Sequence, residues 1–249
     1  MKFFKNLFFL FFLFSINIKG QTTNQITNDL KWRNIGPANM MGRIAAIDAS
    51  NSDYRKVLIA SASGGVFKSE NAGITWESIF DQYGSGSIGS VKFDQNNLDV
   101  IWIGTGESAN RNSSAYGDGI YKSIDGGKSF INMGLKSTHQ IAEIEIHPNN
   151  SDVVFVAAVG HLWGYTGKRG LFKTIDWGKS WRKIGGGLPS DNKTGCTEIV
   201  IHPNNPNIMF AGFYHRLRQP ASFISGGENG GLYKSIDGGK SWKKITKGL

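Results

Sequence analysis

The chain of 249 residues contains a single cysteine, Cys196, and only 6 prolines. One cysteine cannot form an internal disulfide, which excludes a small scaffold held together by disulfide bonds. No apolar run reaches the ~20 residues that a membrane-spanning helix needs. Charged residues make up only 19% of the chain, but aromatic residues make up 12%, which excludes an intrinsically disordered chain. The 33 glycines favour many short strands joined by turns.

The first twenty residues have the pattern of an export signal. Two lysines, Lys2 and Lys5, precede an almost wholly apolar run over 7–16. As a helix this run would rise about 15 Å, which is half of a bilayer core. We therefore predict a cleavable signal peptide over 1–20, with the cleavage site near Gly20, and no transmembrane anchor. The predicted location is secreted, periplasmic or in the cell envelope.

One eight-residue pattern occurs four times after this signal. It has the form Ser/Thr-x-Asp/Asn-x-Gly-x-Ser/Thr-Trp/Phe and begins at Ser69, Ser123, Thr174 and Ser235. A Gly-Val/Ile/Leu-Phe/Tyr-Lys segment precedes every copy. Self-similarity at a roughly constant interval indicates a repeat architecture in which each copy is one supersecondary unit.

Two further short strands are predicted upstream of each copy. The first strands are predicted at 44–49, 88–93, 141–146 and 197–201, and the second strands at 57–60, 100–104, 153–158 and 208–213. Four short strands in each of several ~50-residue repeats are typical of a β-propeller. We predict an all-β propeller with four blades of four antiparallel strands, at about 44–84, 85–135, 136–188 and 189–249, after a lead-in segment at 21–43. A two-layer sandwich is the alternative fold, but it does not explain four copies of one octet.

The octet resembles the Asp-box, or BNR repeat, of sialidases, xyloglucan-type hydrolases and VPS10/sortilin-type propellers. The segment 32–44 is similar to the start of secreted bacterial proteins with sortilin-type propellers, which are often named glycosyl hydrolases. In those families the Asp-box lies in the turn between the third and fourth strands, away from the active face. The resemblance implies a structural role for the box residues, which are Asn71, Trp76, Asp125, Phe130, Asp176, Trp181, Asp237 and Trp242.

The loops between second and third strands share one face of a propeller with the connections between blades. In blades two to four these loops are long and mix aromatic residues with Arg, His and Asn, which can stack on sugar rings and bind hydroxyl or carboxylate groups. The predicted ligand-binding residues are Arg43, Arg111, Tyr116, His161, Trp163, Tyr165, Tyr214, His215 and Arg216. In the alternative interpretation Trp163 and Tyr214 pack under their own loops, Arg216 is solvated, and Arg43 forms a salt bridge or is exposed to solvent.

The same loops carry the catalytic candidates Glu107, Asp118 and Glu228. Xyloglucanase-type hydrolases have an Asp in an Asp-Ile-Gly-Gly stretch of the first blade, where this sequence has Ala-Ser-Gly-Gly at 62–65. The resemblance therefore implies that one catalytic carboxylate is missing, and the Arg-Ile-Pro segment of sialidases is absent as well. We expect a ligand-binding module for a glycan or a peptide. The alternatives are a glycoside hydrolase of the xyloglucanase-like type acting on a polysaccharide, and a protein-assembly scaffold.

Metal ligands, cofactors and nucleic acid are not expected. The sequence has neither the His/Cys spacing of a metal site nor a Gly-rich phosphate loop. Much of the formal net charge of +9 comes from lysines that recur once in each blade, which we expect to be solvated rather than bound to nucleic acid. Because the families that the sequence resembles use six to ten blades, we expect the rest of the propeller to come from a longer chain or from another copy.

Overall fold

The computed structural model describes residues 43–247. The predicted signal peptide and the lead-in segment up to residue 42 lie outside the described residues. Antiparallel β-structure dominates the described part, which also contains a short 3₁₀ turn at Lys136–Thr138. Within 43–247, no helix has the length and apolar character required to cross a bilayer.

The first two sheets each contain four strands in sequence order. The first sheet is formed by β1 (Ile44–Ala49), β2 (Val57–Ser61), β3 (Gly65–Ser69) and β4 (Glu77–Ser78). The second sheet is formed by β5 (Ile88–Asp94), β6 (Asn97–Thr105), β7 (Ile120–Ser123) and β8 (Ile131–Asn132).

The last two sheets repeat this order, and the fourth sheet has one additional strand. The third sheet is formed by β9 (Ile141–Ile146), β10 (Val154–Ala158), β11 (Gly170–Thr174) and β12 (Arg182–Lys183). The fourth sheet is formed by β13 (Thr194–Ile201), β14 (Met209–Arg218), β15 (Phe223–Ser225), β16 (Gly231–Ser235) and β17 (Lys243–Lys244). The predicted all-β architecture of four antiparallel blades is therefore confirmed.

One difference from the predicted strand bounds changes the placement of predicted site residues. The sequence analysis ends the second strand of the fourth sheet at Phe213 and assigns Tyr214, His215 and Arg216 to a loop, which is wrong, because β14 continues to Arg218. The extension is stabilised by pairing with β15, in which Arg216, Leu217 and Arg218 lie opposite Ser225, Ile224 and Phe223. Of the three predicted ligand-binding residues on this segment, Tyr214 and His215 lie opposite Gly195 and Thr194 of β13, and Arg216 lies opposite Ser225 of β15.

The octet closes the turn between the third and fourth strands. In the second sheet, Ser123 Oγ donates to Asp125 Oδ1 at 2.7 Å and accepts the Gly127 N–H at 2.9 Å. Asp125 in turn accepts the N–H of Ser129 at 2.9 Å and its hydroxyl at 2.5 Å. These Ser129 hydrogen bonds hold the pKa of Asp125 at about 2, although the turn is open to solvent. The same bonds recur in the third and fourth sheets.

The first copy of the octet achieves the same turn with an amide. Asn71 Oδ1 accepts the Thr75 N–H at 2.9 Å, and Asn71 Nδ2 donates to Thr75 Oγ1 at 2.8 Å. Ser69 Oγ accepts the Gly73 N–H at 2.8 Å, as the serine of the second copy does. The turn therefore requires a side-chain oxygen at this position rather than a charge.

The core consists of three apolar layers, one between each pair of consecutive sheets. Each layer joins one face of a sheet to the opposite face of the next, so Leu58 packs with Val91, Trp102 with Ile144 and Phe155 with Ile199. The free cysteine, Cys196, is buried in the third layer. Because successive side chains of a strand point to opposite faces of the sheet, one strand can contribute apolar side chains to the layers on both of its faces.

Two of the repeated lysines take part in this packing. Lys122 of β7 is only 6% exposed, and its Nζ donates to the carbonyl oxygen of Trp177 in the octet of the next sheet at 2.7 Å. Lys68 of β3 likewise donates to the carbonyl oxygen of Gly126 at 2.9 Å. The expectation that the lysine row is solvated is thus wrong for these two positions, because their stems cover apolar side chains while their charges meet a carbonyl group.

Candidate ligand-binding face

The antiparallel order places most of the predicted site residues at one edge of the sheets. The loops from β2 to β3, β6 to β7 and β10 to β11 and the hairpin at the end of β14 all leave the sheets at the edge where β1, β5, β9 and β13 begin. Each octet turn follows the third strand, which runs away from the loops, so the octet turns lie at the opposite edge. We call the first edge the loop face.

Arg43 and Glu107 form an ion pair on the loop face. Arg43 Nε donates to Glu107 Oε1 at 3.2 Å, and the second guanidinium nitrogen donates to Oε2 at 2.6 Å. The Glu107 side chain is buried, whereas that of Arg43 is about one-third exposed. The backbone N–H of Glu107 also donates to Ser87 Oγ at 3.0 Å. Both carboxylate oxygens of the catalytic candidate Glu107 therefore accept hydrogen bonds from Arg43. The ion pair links the first sheet to the second.

Arg216 joins three segments of the loop face from within. Its side chain is only 1% exposed, and one nitrogen donates to the Ser108 carbonyl group and to Asn110 Oδ1, the latter at 2.8 Å. The other terminal nitrogen donates to Gln140 Oε1 and, at 3.3 Å, to the carbonyl oxygen of Gly160. Burial lowers the pKa of Arg216 to about 10, so the group remains cationic at neutral pH. Arg216 lies on the predicted face. Its terminal nitrogens, however, donate to groups of the protein itself.

Arg169 holds the loop of the third sheet in a similar way. It is buried, and it donates to the carbonyl oxygens of Lys193 at 3.0 Å, Gly164 at 2.9 Å and His161 at 3.2 Å. Burial is the main cause that lowers its pKa. Within residues 43–247, neither Arg169 nor Arg216 lies within 4.0 Å of a carboxylate oxygen. Two buried cations thus sit beneath the loops with no carboxylate oxygen within 4.0 Å among the described residues, although the charge of Asp191 favours the cationic form of Arg169.

The rim of the loop face carries tyrosine–histidine pairs. The Tyr116 hydroxyl lies 2.6 Å from His161 Nε2, and His161 Nδ1 lies 2.8 Å from Thr166 Oγ1. The Tyr165 hydroxyl makes the corresponding contact with His215 Nε2 at 2.9 Å. Burial is the main cause that lowers the pKa of His161, so its ring is neutral at pH 7. These pairs fix the orientation of two aromatic rings that are open to solvent on one side.

The remaining predicted residues lie on the same face with different exposures. Tyr214 bonds Ser225 Oγ at 2.5 Å and accepts from Asn110 Nδ2 at 3.3 Å. Trp163 is half-buried, and Arg111 is exposed. The loop face therefore combines these side chains with the two tyrosine–histidine pairs.

The other two carboxylate candidates differ in environment. Asp118 accepts a hydrogen bond from the Tyr121 hydroxyl at 2.5 Å and one from Thr105 Oγ1 at 3.3 Å, which hold it against its own loop. Glu228 is exposed, and its backbone carbonyl group accepts a bond from Lys244 at 2.5 Å. The structure gives neither of them a carboxylate partner among the described residues. Within 43–247, no group of three or more His, Cys, Asp or Glu residues could hold a metal ion.

A second concave surface lies along the inner strands. A cavity of about 330 Å³ is lined by side chains of β1, β5, β9 and β13, among which Lys92, Glu143, Glu145 and Glu198 are charged. Lys92 Nζ lies 3.2 Å from Glu145 Oε2, and burial raises the pKa of Glu143 to about 7. Three carboxyl groups against one lysine make this cavity acidic, in contrast to the basic loop face.

Sequence reasoning missed Gln140 and Arg169 as residues that organise the loop face. Gln140 is fully buried directly before β9, and its Oε1 accepts from Arg216. Neither a motif nor the repeat points to these two residues, because Gln140 contacts Arg216 of another blade and Arg169 binds backbone carbonyl groups, which no side-chain pattern marks.

Comparisons with known proteins agree with this architecture. The Sortilin-Vps10 family model (Sortilin, neurotensin receptor 3) matches residues 118–249. A probable oligoxyloglucan-reducing end-specific xyloglucanase of Neosartorya fischeri is 26% identical over 160 residues, which cover 63% of this chain and 17% of that protein.

Two solved structures share the fold at low identity. An ancestral GH74 enzyme superposes with a TM-score of 0.63 at 22% identity, over 84% of this chain and 24% of that one. The GH74 enzyme of Niastella koreensis superposes with a TM-score of 0.57 at 20% identity, over 80% of this chain and 28% of that one. The chain thus spans between a sixth and a third of the length of these proteins.

Proposed function

Because the chain belongs to the Sortilin-Vps10 family, we propose that it is a ligand-binding propeller module whose loop face binds a carbohydrate with acidic groups. The observation that carries the proposal is the pair of buried guanidinium groups, Arg169 and Arg216, without a carboxylate partner within 4.0 Å in the described residues. Buried charges are screened less than exposed ones, so their field extends into the loop face. Such a field favours an anionic ligand.

The acidic residues on this face offset that field only in part, with Asp191 acting on Arg169. The Glu107 carboxylate is bound by Arg43, and Asp191 accepts the N–H groups of Lys193 and Thr194 at 2.7 and 2.6 Å. Exposed cations at Arg111 and Lys168 add to the positive charge of the rim. The loop face is therefore basic at the surface as well as beneath it.

The aromatic rim supports a sugar as the ligand. Tyr116 is 47% exposed, and Trp163, Tyr165 and Tyr214 are partly exposed. Aromatic rings combine a large apolar face with polar groups at the edge, which suits a ligand with C–H faces and hydroxyl groups. Because buried arginines and tyrosine–histidine bonds hold the loops, little conformational entropy is lost when a ligand binds.

A glycoside hydrolase is the second candidate, because the chain is 26% identical to a protein named as a probable xyloglucanase. Hydrolysis of a glycosidic bond requires two carboxyl groups on opposite sides of the bond. Glu107 is bound by Arg43, and Asp118 is held by Tyr121 and Thr105, so neither is presented to a substrate without a rearrangement. Of the three candidates only Glu228 is exposed, so a hydrolase would require a second carboxylate from residues other than Glu107 and Asp118.

A glycan array that contains neutral and uronic-acid oligosaccharides tests the proposal. We expect binding to acidic oligosaccharides, with an affinity that falls as salt increases, and no release of reducing sugar. Binding of neutral xyloglucan fragments with hydrolysis would favour the hydrolase. A silent array, together with a specific protein partner in an envelope extract, would favour the assembly scaffold. Export through the 1–20 signal and completion of the ring by further blades belong to the same proposal.

A further inference from the structure

Three aromatic rings from the second and third sheets meet on the loop face. Tyr116 lies in the loop from β6 to β7, His139 lies directly before β9, and His161 lies in the loop from β10 to β11. The ring centroids of the two histidines are 5.0 Å apart, and the Tyr116 ring lies 4.9 Å from His161 and 5.5 Å from His139. We call these three residues the ring cluster. It joins two sheets that are both described in full.

The backbone holds His139 in an unusual conformation. Its φ is 61° and its ψ is −41°, in a range that favours glycine. The His139 carbonyl oxygen accepts the N–H of Gly117 at 2.7 Å. Its ring lies against the backbone of Gly167, where a Cβ would lie 2.6 Å from His139 Cδ2. Strain of this kind persists only where the surrounding structure imposes it, and it is concentrated at functional sites.

The two histidines differ in the use of their ring nitrogens. His161 Nε2 lies 2.6 Å from the Tyr116 hydroxyl, and His161 Nδ1 lies 2.8 Å from Thr166 Oγ1, so both nitrogens are engaged. By contrast, neither ring nitrogen of His139 makes a hydrogen bond to another residue within 43–247, and the side chain is partly exposed. A histidine ring has one N–H donor when neutral and two when protonated. His139 therefore has donor capacity that a ligand on the loop face can use.

Each segment around the ring cluster carries a cation. Arg169 and Arg216, together with His139, act on His161 to lower its pKa, with burial as the largest cause. The remaining cations of these segments are exposed, and they are Arg111 of the loop from β6 to β7, Lys136 of the 3₁₀ turn and Lys168 of the loop from β10 to β11.

The acidic residues of the same segments have other partners. Glu107 is bound by Arg43, and Asp118 accepts from the Tyr121 hydroxyl. The segments at 136–140 and 159–169 contain no acidic residue. No carboxylate is among the groups whose charges shift the pKa of His161. An anion that enters the ring cluster therefore meets cations and ring N–H groups.

An anion in this position would be coupled to a proton. It would offset the positive charges that lower the pKa of His161 and would thus favour the protonated form of the histidine pair. Coupling between two bound species is reciprocal, so protonation strengthens binding of the anion by the same factor. Because histidines change charge between about pH 5 and 8, affinity is expected to rise as pH falls through this range.

We propose that Tyr116, His139 and His161 form the subsite of the loop face that receives a carboxylate group of the ligand, with His139 donating to the carboxylate and the histidine pair taking up a proton from solvent. The inference rests on the proposed function, in which the loop face binds an acidic carbohydrate. It adds the residues that receive the acidic group and the dependence of binding on pH.

Isothermal titration calorimetry with a trimer of galacturonic acid tests the proposal. The full chain is titrated at pH 5.5 and 7.5, where the carboxylates of the trimer are ionised throughout. We expect affinity to be about threefold to tenfold higher at pH 5.5, since a rise of one pKa unit on binding corresponds to tenfold. Titrations in two buffers with different ionisation enthalpies are expected to show net proton uptake on binding.

One substitution removes the titrating ring without changing the backbone. His139→Asn is chosen because asparagine tolerates positive φ. The variant is expected to lose the pH dependence and the proton uptake, and to bind about threefold or more weakly than the wild type at pH 5.5. His202→Asn is the matched control, since it makes the same change at an exposed histidine in the turn between β13 and β14, at the opposite edge of the sheets. Circular dichroism checks that each variant keeps its sheets.

The possible outcomes separate this inference from the function on which it rests. A wild-type chain that binds the trimer with equal affinity at both pH values and without proton uptake would overturn the inference and leave the proposed function in place. A pH dependence that His139→Asn retains in full would also overturn it. A chain that does not bind the trimer at either pH would overturn the proposed function, and the inference with it.

Discussion

The Arg43 guanidinium group binds both carboxylate oxygens of Glu107, at 3.2 and 2.6 Å, although the two residues are 64 positions apart in the sequence. The pair joins the segment before β1 to the loop after β6. Glu107 was the carboxylate that sequence analysis placed first among the catalytic candidates. Its carboxylate takes part in the contact between the first and second sheets, and its catalytic role stays a prediction.

The first prediction follows from this pair. Glu107→Gln is expected to lower the free energy of unfolding by about 1–2 kcal/mol, because a charge-assisted bidentate contact becomes a single neutral acceptor. Because the Arg43 side chain is about one-third exposed, solvent screening of the pair favours the lower end of this range. Urea denaturation measures the change. Glu77→Gln, on an exposed strand of the first sheet, is the control, and equal urea midpoints for the two variants would contradict the prediction.

The second prediction concerns the octet turn and acid. The pKa of Asp125 is about 2 in the folded protein and is lowered mainly by its hydrogen bonds with Ser129. A lowered folded-state pKa contributes stability that is present above the unfolded value of about 3.8 and is lost as pH falls through about 2. Asp125→Asn is expected to remove that pH dependence while keeping the turn, as Asn71 does in the first copy.

Thermal unfolding measured from pH 2 to pH 7 checks this prediction. Asp125→Ala removes every acceptor oxygen and is expected to lower Tm by several degrees at pH 7, whereas Asp125→Asn is expected to stay close to the wild type. If the asparagine variant unfolds as early as the alanine variant at pH 7, the carboxylate charge matters and the argument from Asn71 fails.

The architecture was predictable because it is repeated. Four copies of one octet determine where the third strand ends in each blade, and the predicted strands at 44–49 and 141–146 have the bounds of β1 and β9. The extension of β14 was not predictable, because it depends on pairing with the short strand β15, whose residues have no counterpart in the other blades. The burial of Lys122 was missed since its acceptor, Trp177, belongs to another blade.

The third prediction concerns the acidic cavity of the inner strands. Burial raises the pKa of Glu143 to about 7 from its ordinary value of 4.5, against the opposing effect of Lys92. Its contribution to stability is therefore present below the ordinary value and is lost as pH rises through about 7. The negative charges of Glu145 and Glu198, the other carboxyl groups of the cavity, also raise the pKa of Glu143.

Glu143→Gln is accordingly expected to reduce the loss of stability between pH 5 and pH 8 by about 1–3 kcal/mol. Urea denaturation at the two pH values measures the difference. Glu77→Gln, an exposed carboxylate of β4, serves as the control. The prediction would be refuted by a variant whose loss of stability between the two pH values equals that of the control.

The fourth prediction concerns the loops that Arg216 holds. Arg216→Lys keeps the charge but cannot reach acceptors on Ser108, Asn110, Gln140 and Gly160 together. We expect amide hydrogen exchange in the loop after β6 to become about tenfold faster or more, since charged hydrogen bonds of this kind contribute about 1.5–3 kcal/mol. Arg182→Lys on exposed β12 is the control, and unchanged exchange in that loop would rule out this role.

The loop face was predictable in location but not in its internal structure. The order of strands in a blade places Arg43, Tyr116, His161 and Tyr214 at one edge, and sequence alone indicates this. The acceptors of Arg216 lie 56 to 108 positions away along the chain, and no local pattern encodes such distances. Arginine in a loop is also expected at the surface, whereas here the surrounding carbonyl groups make burial possible.

A hydrogen-exchange footprint shows whether the loop face binds an acidic carbohydrate, as proposed above. The full chain is compared with and without a uronic-acid oligosaccharide at saturating concentration. We expect slower exchange in the loops at 107–118 and 161–169 and in the hairpin at 214–225, with no change in the octet turns. Protection of the octet turns, or no protection at any loop with an oligosaccharide that binds, would contradict it.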